Sequence, residues 1–241
     1  MNKLIALLAG CLLGGSAIAN EALIRQVLQA KLGGARIEGI QTGPAGLFEV
    51  RFRTDEGMRI IYTDAKAQNI IVGNIFDVTS DRNLTEERLR KLTAISFESL
   101  PLEQAVKVVN GNGKRVLAVF SDPYCPACKQ FENTLAQMND ITIHYFMFPV
   151  IRPELIDQSI SAWCAQDRVK AWLDLARRHV PPAANTGCEH PVQKNIAYGQ
   201  SLGVNATPTL FFVNGERLSG GLPLARLRAM LDDAAASVAK R

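Results

Sequence analysis

Two cysteines separated by two residues, Cys125 and Cys128, are the side chains of this sequence best suited to chemistry. They follow an apolar run at 115–120 that is typical of a strand, and they open a stretch to Met138 that is typical of a helix. A strand that leads into Cys-x-x-Cys at a helix start presents the first thiol to the positive end of the helix dipole, where the thiolate is favoured. The spacing therefore predicts thiol–disulfide exchange, with Cys125 exposed and Cys128 more buried.

The two cysteines have different predicted roles. The Cys125 thiolate attacks a substrate disulfide, and the resulting mixed disulfide either rearranges within the substrate or is released when Cys128 attacks it. Release leaves a redox-active disulfide between Cys125 and Cys128. Pro126 suits the first helical turn because its ring fixes φ and its missing N–H would have no helical partner there.

A zinc knuckle is the alternative interpretation of this motif. Cys164, Cys188 or His190 would then complete a tetrahedral site with Cys125 and Cys128. A knuckle usually lies in a hairpin turn and needs a second close pair of ligands, whereas the other two cysteines are far apart and Cys128 leads straight into a helix. Redox chemistry is favoured, and we predict neither a metal nor another cofactor.

The N-terminus predicts export. Residues 1–19 contain Lys3, an apolar core at 4–13 and small residues at 17–19, which is the layout of a cleavable secretory signal. The mature chain would begin at Asn20 in the periplasm. A second interpretation is a lipobox ending at Cys11, which would make that cysteine a lipidated N-terminus.

The mature chain then holds four cysteines, which allow three pairings. Pairing Cys125 with Cys128, which are close in sequence, leaves Cys164 with Cys188 as a structural disulfide. The formal net charge of +4 is spread along the 241 residues rather than gathered into a basic stripe, so nucleic acid is not a predicted partner.

The element pattern predicts two domains joined by a helix. Residues 20–80 form an α+β domain, in which a helix at 21–32 packs on a small antiparallel sheet. The inner face of this helix is expected to hold Leu23, Val27 and Ala30, with Leu28 beside them. Residues 81–101 form a linker helix, capped by Asn83 or Thr85 and continuing to Leu100. The predicted strands of the sheet lie at 35–42, 47–53, 59–63 and 69–72.

Residues 102–241 predict an α/β catalytic domain. It opens with a hairpin of 104–109 and 114–120 joined by an Asn-Gly-Asn-Gly turn, and continues with the helix of the cysteine motif and a strand at 141–148. One helical insertion is expected at 153–179. A helix at 192–202, a strand at 209–213, a tight turn at 214–215 and a helix at 223–238 complete a thioredoxin-like order.

Several side chains outside the motif have predicted places. In a thioredoxin-like fold, Thr207 and Pro208 face the cysteines, and the backbone of Thr207 would pair with an extended substrate. Asp122 and Tyr124 flank the motif, Asp122 either as a turn residue or as a group that tunes Cys125. Other expected placements are core positions for Trp163 and Trp172, a structural role for His144, and a solvated face for Lys129 and Glu132.

With these features assembled, the chain resembles the DsbC/DsbG family of periplasmic thiol–disulfide proteins. The resemblance covers the mature chain and includes the segment around Cys125, the Trp163-Cys164-Ala165 to Cys188 segment, and 202–209. It implies a V-shaped homodimer paired through its N-terminal domains, acting on misfolded exported proteins with wrong disulfides and often also as a chaperone. It also implies a membrane reductase resembling DsbD, a structural Cys164–Cys188 disulfide and a cis-proline loop at Thr207-Pro208.

The resemblance leaves several activities open. The pair Pro126-Ala127 departs from the Gly-Tyr of DsbC and is only partly like the Pro-Tyr of DsbG, so the redox poise does not follow from it. We expect a disulfide isomerase or reductase. The alternatives are a DsbG-like reductase of sulfenylated cysteines, a net thiol oxidase, and a holdase chaperone that does not need its cysteines.

Overall fold

The computed structural model describes residues 14–55 and 57–240, and for 14–19 it describes the backbone only. The chain divides into two compact units, one ending at Leu92 and the other beginning at Thr93. Residues 1–13 of the predicted signal, including Cys11, lie outside the described residues. No helix in the described part of the chain is long and apolar enough to cross a bilayer.

The first unit is one helix on a four-stranded antiparallel sheet, as the pattern predicts, followed by a short two-stranded ladder that was not predicted and by a second helix. The sheet order is β1-β2-β3-β4, so β1 and β4 form its edges. The elements are α1 (Gly14–Lys31), β1 (Arg36–Thr42), β2 (Phe48–Thr54), β3 (Gly57–Thr63), β4 (Ile70–Ile71), β5 (Phe76–Asp77), β6 (Arg82–Asn83) and α2 (Leu84–Leu92).

Helix α1 packs on the sheet through Ile24 and Leu28, both fully buried and one turn apart. They contact Val50 and Phe52 of β2 in the core of this unit. The predicted inner face was only partly right, because Leu28 is buried as expected but Leu23 is 41% exposed. The face of α1 that packs on the sheet is therefore the one that includes Ile24, not the one that includes Leu23.

Helix α2 is shorter than predicted. The Asn83 side chain accepts a hydrogen bond from the Glu86 amide at 3.0 Å, which caps the helix start as expected. The helix ends at Leu92 rather than Leu100. Beyond it the Ile95 amide donates to the Gly215 carbonyl at 3.1 Å. Any side chain at Gly215 (φ 84°) would collide with the Ile95 carbonyl, so this contact needs glycine.

The second unit is a five-stranded sheet covered by helices on both faces, in the order β11-β10-β8-β9-β7. Strands β8 and β9 are parallel, and the other neighbours are antiparallel. The elements are β7 (Val106–Gly111), β8 (Arg115–Ser121), α3 (Pro126–Leu135), β9 (Asp140–Met147), α4 (Ile156–Cys164), α5 (Arg168–Arg178), α6 (Val192–Ser201), β10 (Thr209–Phe212), β11 (Arg217–Ser219) and α7 (Leu224–Ala239). Short 3-10 turns lie at Pro44–Gly46, Phe97–Ser99, Leu102–Gln104 and Pro153–Leu155.

The predicted hairpin of β7 and β8 is wrong, because β9 lies between these strands. Strand β8 is central, and its crossover through α3 returns the chain as a parallel neighbour. Alternate residues of β8 then reach opposite faces: Leu117 and Val119 enter one core, and Ala118 and Phe120 enter the other. Burial on both sides explains why the sequence of this strand is apolar without interruption.

The predicted helical insertion consists of two helices, α4 and α5. It breaks at Ala165–Gln166–Asp167, where the Asp167 side chain caps α5 by accepting from the Lys170 amide at 2.9 Å. Trp163 and Trp172 are both buried in the core, as expected. Cys164 at the end of α4 is bonded to Cys188 in the loop before α6, with an S–S distance of 2.00 Å.

Candidate active site

Cys125 is the N-cap of helix α3, with extended backbone angles, and Pro126 is the first helical residue. The end of β8 and a tight turn place it there, because the Cys125 amide donates to the Asp122 carbonyl at 3.2 Å. The Lys129 amide donates to the Cys125 carbonyl at 3.0 Å and begins the helix. The strand–turn–helix order at this motif is the predicted one.

The thiol of Cys125 is covered rather than exposed, which corrects the prediction. Its residue is 5% exposed, and its Sγ donates a hydrogen bond to the Thr207 carbonyl at 3.2 Å. The Thr207–Pro208 peptide bond is cis. Thr207 and Cys125 are 82 residues apart in sequence, so this cover comes from the tertiary structure and not from the helix start.

Cys128 lies one turn along α3 and is also buried. The pKa of its thiol is raised to about 12, mainly because the thiol is buried and to a smaller extent because Cys125 is nearby. The Asp122 backbone and the side chains of Ser121 and Thr207 oppose this shift by hydrogen bonding to the sulfur. Both cysteines are free thiols in this structure. Their surroundings therefore keep Cys128 protonated at neutral pH.

Asp122 is a turn residue with an additional contact. Its carboxylate is fully buried and accepts hydrogen bonds from the amides of Tyr124 (2.8 Å), Val150 (2.7 Å) and Ile151 (2.7 Å). One side chain thus joins the turn before Cys125 to the loop after β9. The prediction of a turn role is met, and the contact with the loop had no signal in the sequence.

Tyr124 stands beside Cys125 at the edge of the site. Its hydroxyl donates to the Gln158 side chain, and its ring lies 5.4 Å from that of His179. The Arg152 guanidinium lies 5.5 Å from the Tyr124 ring centre. Pro126 and Ala127 are exposed between the two cysteines. The outer face of the motif therefore consists of a proline, an alanine and an aromatic ring.

Glu132 was expected on a solvated face, and this prediction was wrong. It is 3% exposed, and its carboxylate accepts hydrogen bonds from Arg177 Nε at 2.9 Å and from the Tyr145 hydroxyl at 3.1 Å. Burial raises its pKa, while Arg177 acts against that shift. Lys129 is exposed, as expected. His144 is buried in β9, away from the motif.

The disulfide between Cys164 and Cys188 lies in the insertion, separate from the two free thiols. No three His, Cys, Asp or Glu side chains within 14–55 and 57–240 gather closely enough to hold a metal ion. The structure brings the predicted cis-proline loop at Thr207-Pro208 against Cys125 and Cys128, beside the flanking residues Tyr124, Pro126 and Ala127.

A thioredoxin-like sheet, a Cys-x-x-Cys pair at a helix start and a cis-proline loop against the first thiol together define a thiol–disulfide exchange protein. Two family models agree with this class: a thioredoxin-like domain matches 102–235, and the N-terminal domain of disulfide bond isomerase proteins matches 15–86. The chain belongs to the DsbC family of thiol:disulfide interchange proteins.

Known relatives span both units. The thiol:disulfide interchange protein DsbC of Escherichia coli is 32% identical over 91% of this chain and 90% of its own length. The "Probable thiol:disulfide interchange protein DsbC" of Bordetella pertussis is 39% identical over 86% of this chain and 73% of its own length. A crystal structure of a disulfide interchange protein from Neisseria gonorrhoeae is 39% identical, with a TM-score of 0.53, over 56% of this chain and 98% of that one.

Proposed function

We propose that this protein is a periplasmic disulfide isomerase that works from the reduced dithiol state. The observation that carries the proposal is the difference between its two thiols. Cys125 is the cap of α3 beside the cis-proline loop, and burial holds Cys128 protonated. A protonated thiol attacks slowly, so the mixed disulfide at Cys125 persists long enough for the substrate to rearrange.

The reaction conserves its electrons. The Cys125 thiolate attacks one sulfur of a wrong disulfide; the Cys125–substrate bond forms, the substrate bond breaks, and a substrate thiolate leaves. A substrate thiolate then forms the correct disulfide, and Cys125 departs as a thiolate. If Cys128 attacks first, the substrate leaves as a dithiol and Cys125–Cys128 becomes a disulfide. A membrane reductase resembling DsbD would then restore the dithiol.

We propose a homodimer formed through the N-terminal unit. Strand β4 is an edge of its sheet, and Ile70, Ile71 and Val72 are 43%, 47% and 82% exposed. An exposed apolar edge strand is a template for pairing with another chain. Phe76 and Val78 extend the same exposed apolar segment. A dimer would carry two catalytic units, which would suit large misfolded substrates. We also propose that the protein acts as a holdase chaperone in addition to isomerising disulfides.

Three further features support this proposal. The predicted signal at 1–19 would deliver the protein to the periplasm, where the Cys164–Cys188 bond is stable. By constraining the unfolded chain, that bond would stabilise the fold by about 3 kcal/mol. Thr207 would present its backbone to an extended substrate, beside the thiol that attacks.

Reactivation of scrambled ribonuclease by the reduced protein tests the proposal. We expect activity from the wild type and none from Cys125→Ser. Suppression of aggregation of a cysteine-free client should survive that substitution, which separates chaperone action from exchange. Equal reactivation by wild type and Cys125→Ser would refute the isomerase assignment.

A further inference from the structure

Two apolar side chains lie exposed in the loop after β9, next to the active-site turn. Val150 is 40% exposed and Ile151 is 50% exposed. We call this pair the 150–151 patch. Nothing in the exchange chemistry of the cysteines requires apolar side chains there, and in the described structure neither side chain belongs to a hydrophobic core cluster.

The patch is fixed relative to Cys125. Both of its amides donate to the same buried carboxylate oxygen of Asp122, each at 2.7 Å. The Asp122 carbonyl in turn accepts from the Cys125 amide at 3.2 Å. The Phe148 amide donates to the Ser121 carbonyl at 2.9 Å, which ties the start of the loop to the end of β8. A single buried residue therefore connects the patch to the reacting thiol, without a flexible segment between them.

The surroundings of the patch favour an apolar occupant. Arg152, the next residue, directs its guanidinium at the Tyr124 ring, 5.5 Å from its centre, and pairs with Glu154 at 3.3 Å. The positive charge next to the patch in sequence thus has both an aromatic ring and a carboxylate beside it. An acidic peptide would gain little from Arg152, whereas an apolar chain would remove the exposed apolar surface of Val150 and Ile151 from water.

We propose that the 150–151 patch binds apolar side chains that flank the reacting cysteine of the substrate polypeptide. In a mixed disulfide the Cα atoms of the two cysteines are about 5.5–6 Å apart. An extended substrate advances about 3.3 Å per residue, so residues one to three positions from its cysteine lie about 3 to 10 Å along the chain from the reacting sulfur. Sequences of this kind are buried in native proteins and exposed in misfolded ones. The patch thereby directs exchange toward misfolded substrates. This inference rests on the proposed function, disulfide exchange at Cys125.

Two peptides and one double variant test the proposal. Each peptide carries a single cysteine bonded to 2-nitro-5-thiobenzoate; leucines flank this cysteine in one peptide, and serines in the other. Attack by Cys125 on the peptide sulfur releases the coloured thiolate, whose absorbance gives the second-order rate constant. We expect the wild type to prefer the leucine peptide by about tenfold and Val150→Thr/Ile151→Thr to lose that preference.

The matched control is Val109→Thr, since Val109 is 52% exposed on β7, an edge strand of the same sheet. It should keep the preference of the wild type. The serine peptide reports whether the double variant retains a folded, reactive site. If the wild type reacted with the two peptides at equal rates, this inference alone would be overturned. It would also be overturned if the double variant lost the same fraction of its rate constant with both peptides. A changed oligomeric state in that variant, with the peptide preference intact, would identify a second copy as the occupant and overturn it as well. No reaction with either peptide would overturn the exchange function itself.

Discussion

The pKa of Cys128 governs how long a substrate stays attached. Burial is the largest cause of its rise from an ordinary value of 9.0 to about 12. The second cause of increase, the charge of Cys125, disappears once Cys125 is bonded to substrate, but the burial remains. The thiolate of Cys128 is therefore scarce at neutral pH, and we expect it to release the substrate slowly.

This difference predicts the pH dependence of release. Because a thiol with a raised pKa gains thiolate with every step toward that pKa, the rate at which Cys128 resolves a mixed disulfide should rise about tenfold per pH unit, through pH 9.0 and beyond. Stopped-flow fluorescence of a preformed Cys125–peptide adduct measures it. A rate that bends near pH 9.0 and levels off above it would mean that Cys128 titrates as an unburied thiol.

Glu132 links the active-site helix to the insertion, because the carboxylate on α3 is paired with Arg177 at the end of α5. Sequence pattern could not predict this contact. The two residues are 45 positions apart, and a glutamate one turn after Cys128 is ordinarily solvated. The predicted hairpin failed for the same reason, since a local turn signal says nothing about β9 entering between β7 and β8. Local order within strands and helices was predictable; their long-range neighbours were not.

Removing the cation at this link should destabilise the fold in a pH-dependent way. Arg177→Met leaves Glu132 buried without its ion pair, and we expect a loss of about 2 kcal/mol at neutral pH, moderated because 31% of the Arg177 side chain is exposed. The raised pKa of Glu132 means that this carboxylate takes up a proton at a higher pH in the native state than an unperturbed glutamate does. The difference between variant and wild type should therefore shrink as the pH falls toward 4.5 and the carboxylate takes up a proton.

Urea unfolding at both pH values measures this effect. The control is Arg178→Met, the neighbouring arginine, whose side chain is 62% exposed and whose pair with Asp174 should contribute less than about 1 kcal/mol. Equal losses for the two arginine variants at neutral pH would contradict a special role for the buried pair.

At the scale of the whole molecule, we propose that the first unit supplies the surface for assembly and the second supplies the chemistry. The helix-on-sheet pattern and the thioredoxin-like order were readable from the sequence, because turn clusters and apolar periodicity mark each element. The exposure of Val72 and its neighbours could not be predicted from the sequence. An apolar residue in a short strand is equally consistent with a core position.

Charge on this edge should separate the assembly from the chemistry. Ile71→Lys places an ammonium in the proposed dimer interface, so sedimentation should shift from dimer to monomer, and reactivation of scrambled ribonuclease should fall several-fold. Reduction of a small peptide disulfide should be unchanged. Val109→Lys, at an equally exposed valine of the second unit, should remain dimeric. A dimeric Ile71→Lys protein would place the interface elsewhere.

Capture of the mixed disulfide tests the central claim most directly. Cys128→Ser, incubated with a disulfide-bonded peptide and analysed by intact mass and fragmentation, should accumulate a peptide adduct at Cys125, since no second thiol releases it. Cys125→Ser should accumulate no adduct, because Cys128 is buried and its pKa is raised to about 12. An adduct at Cys128 in the Cys125→Ser protein, formed as fast as the adduct at Cys125, would contradict the division of roles between the two thiols.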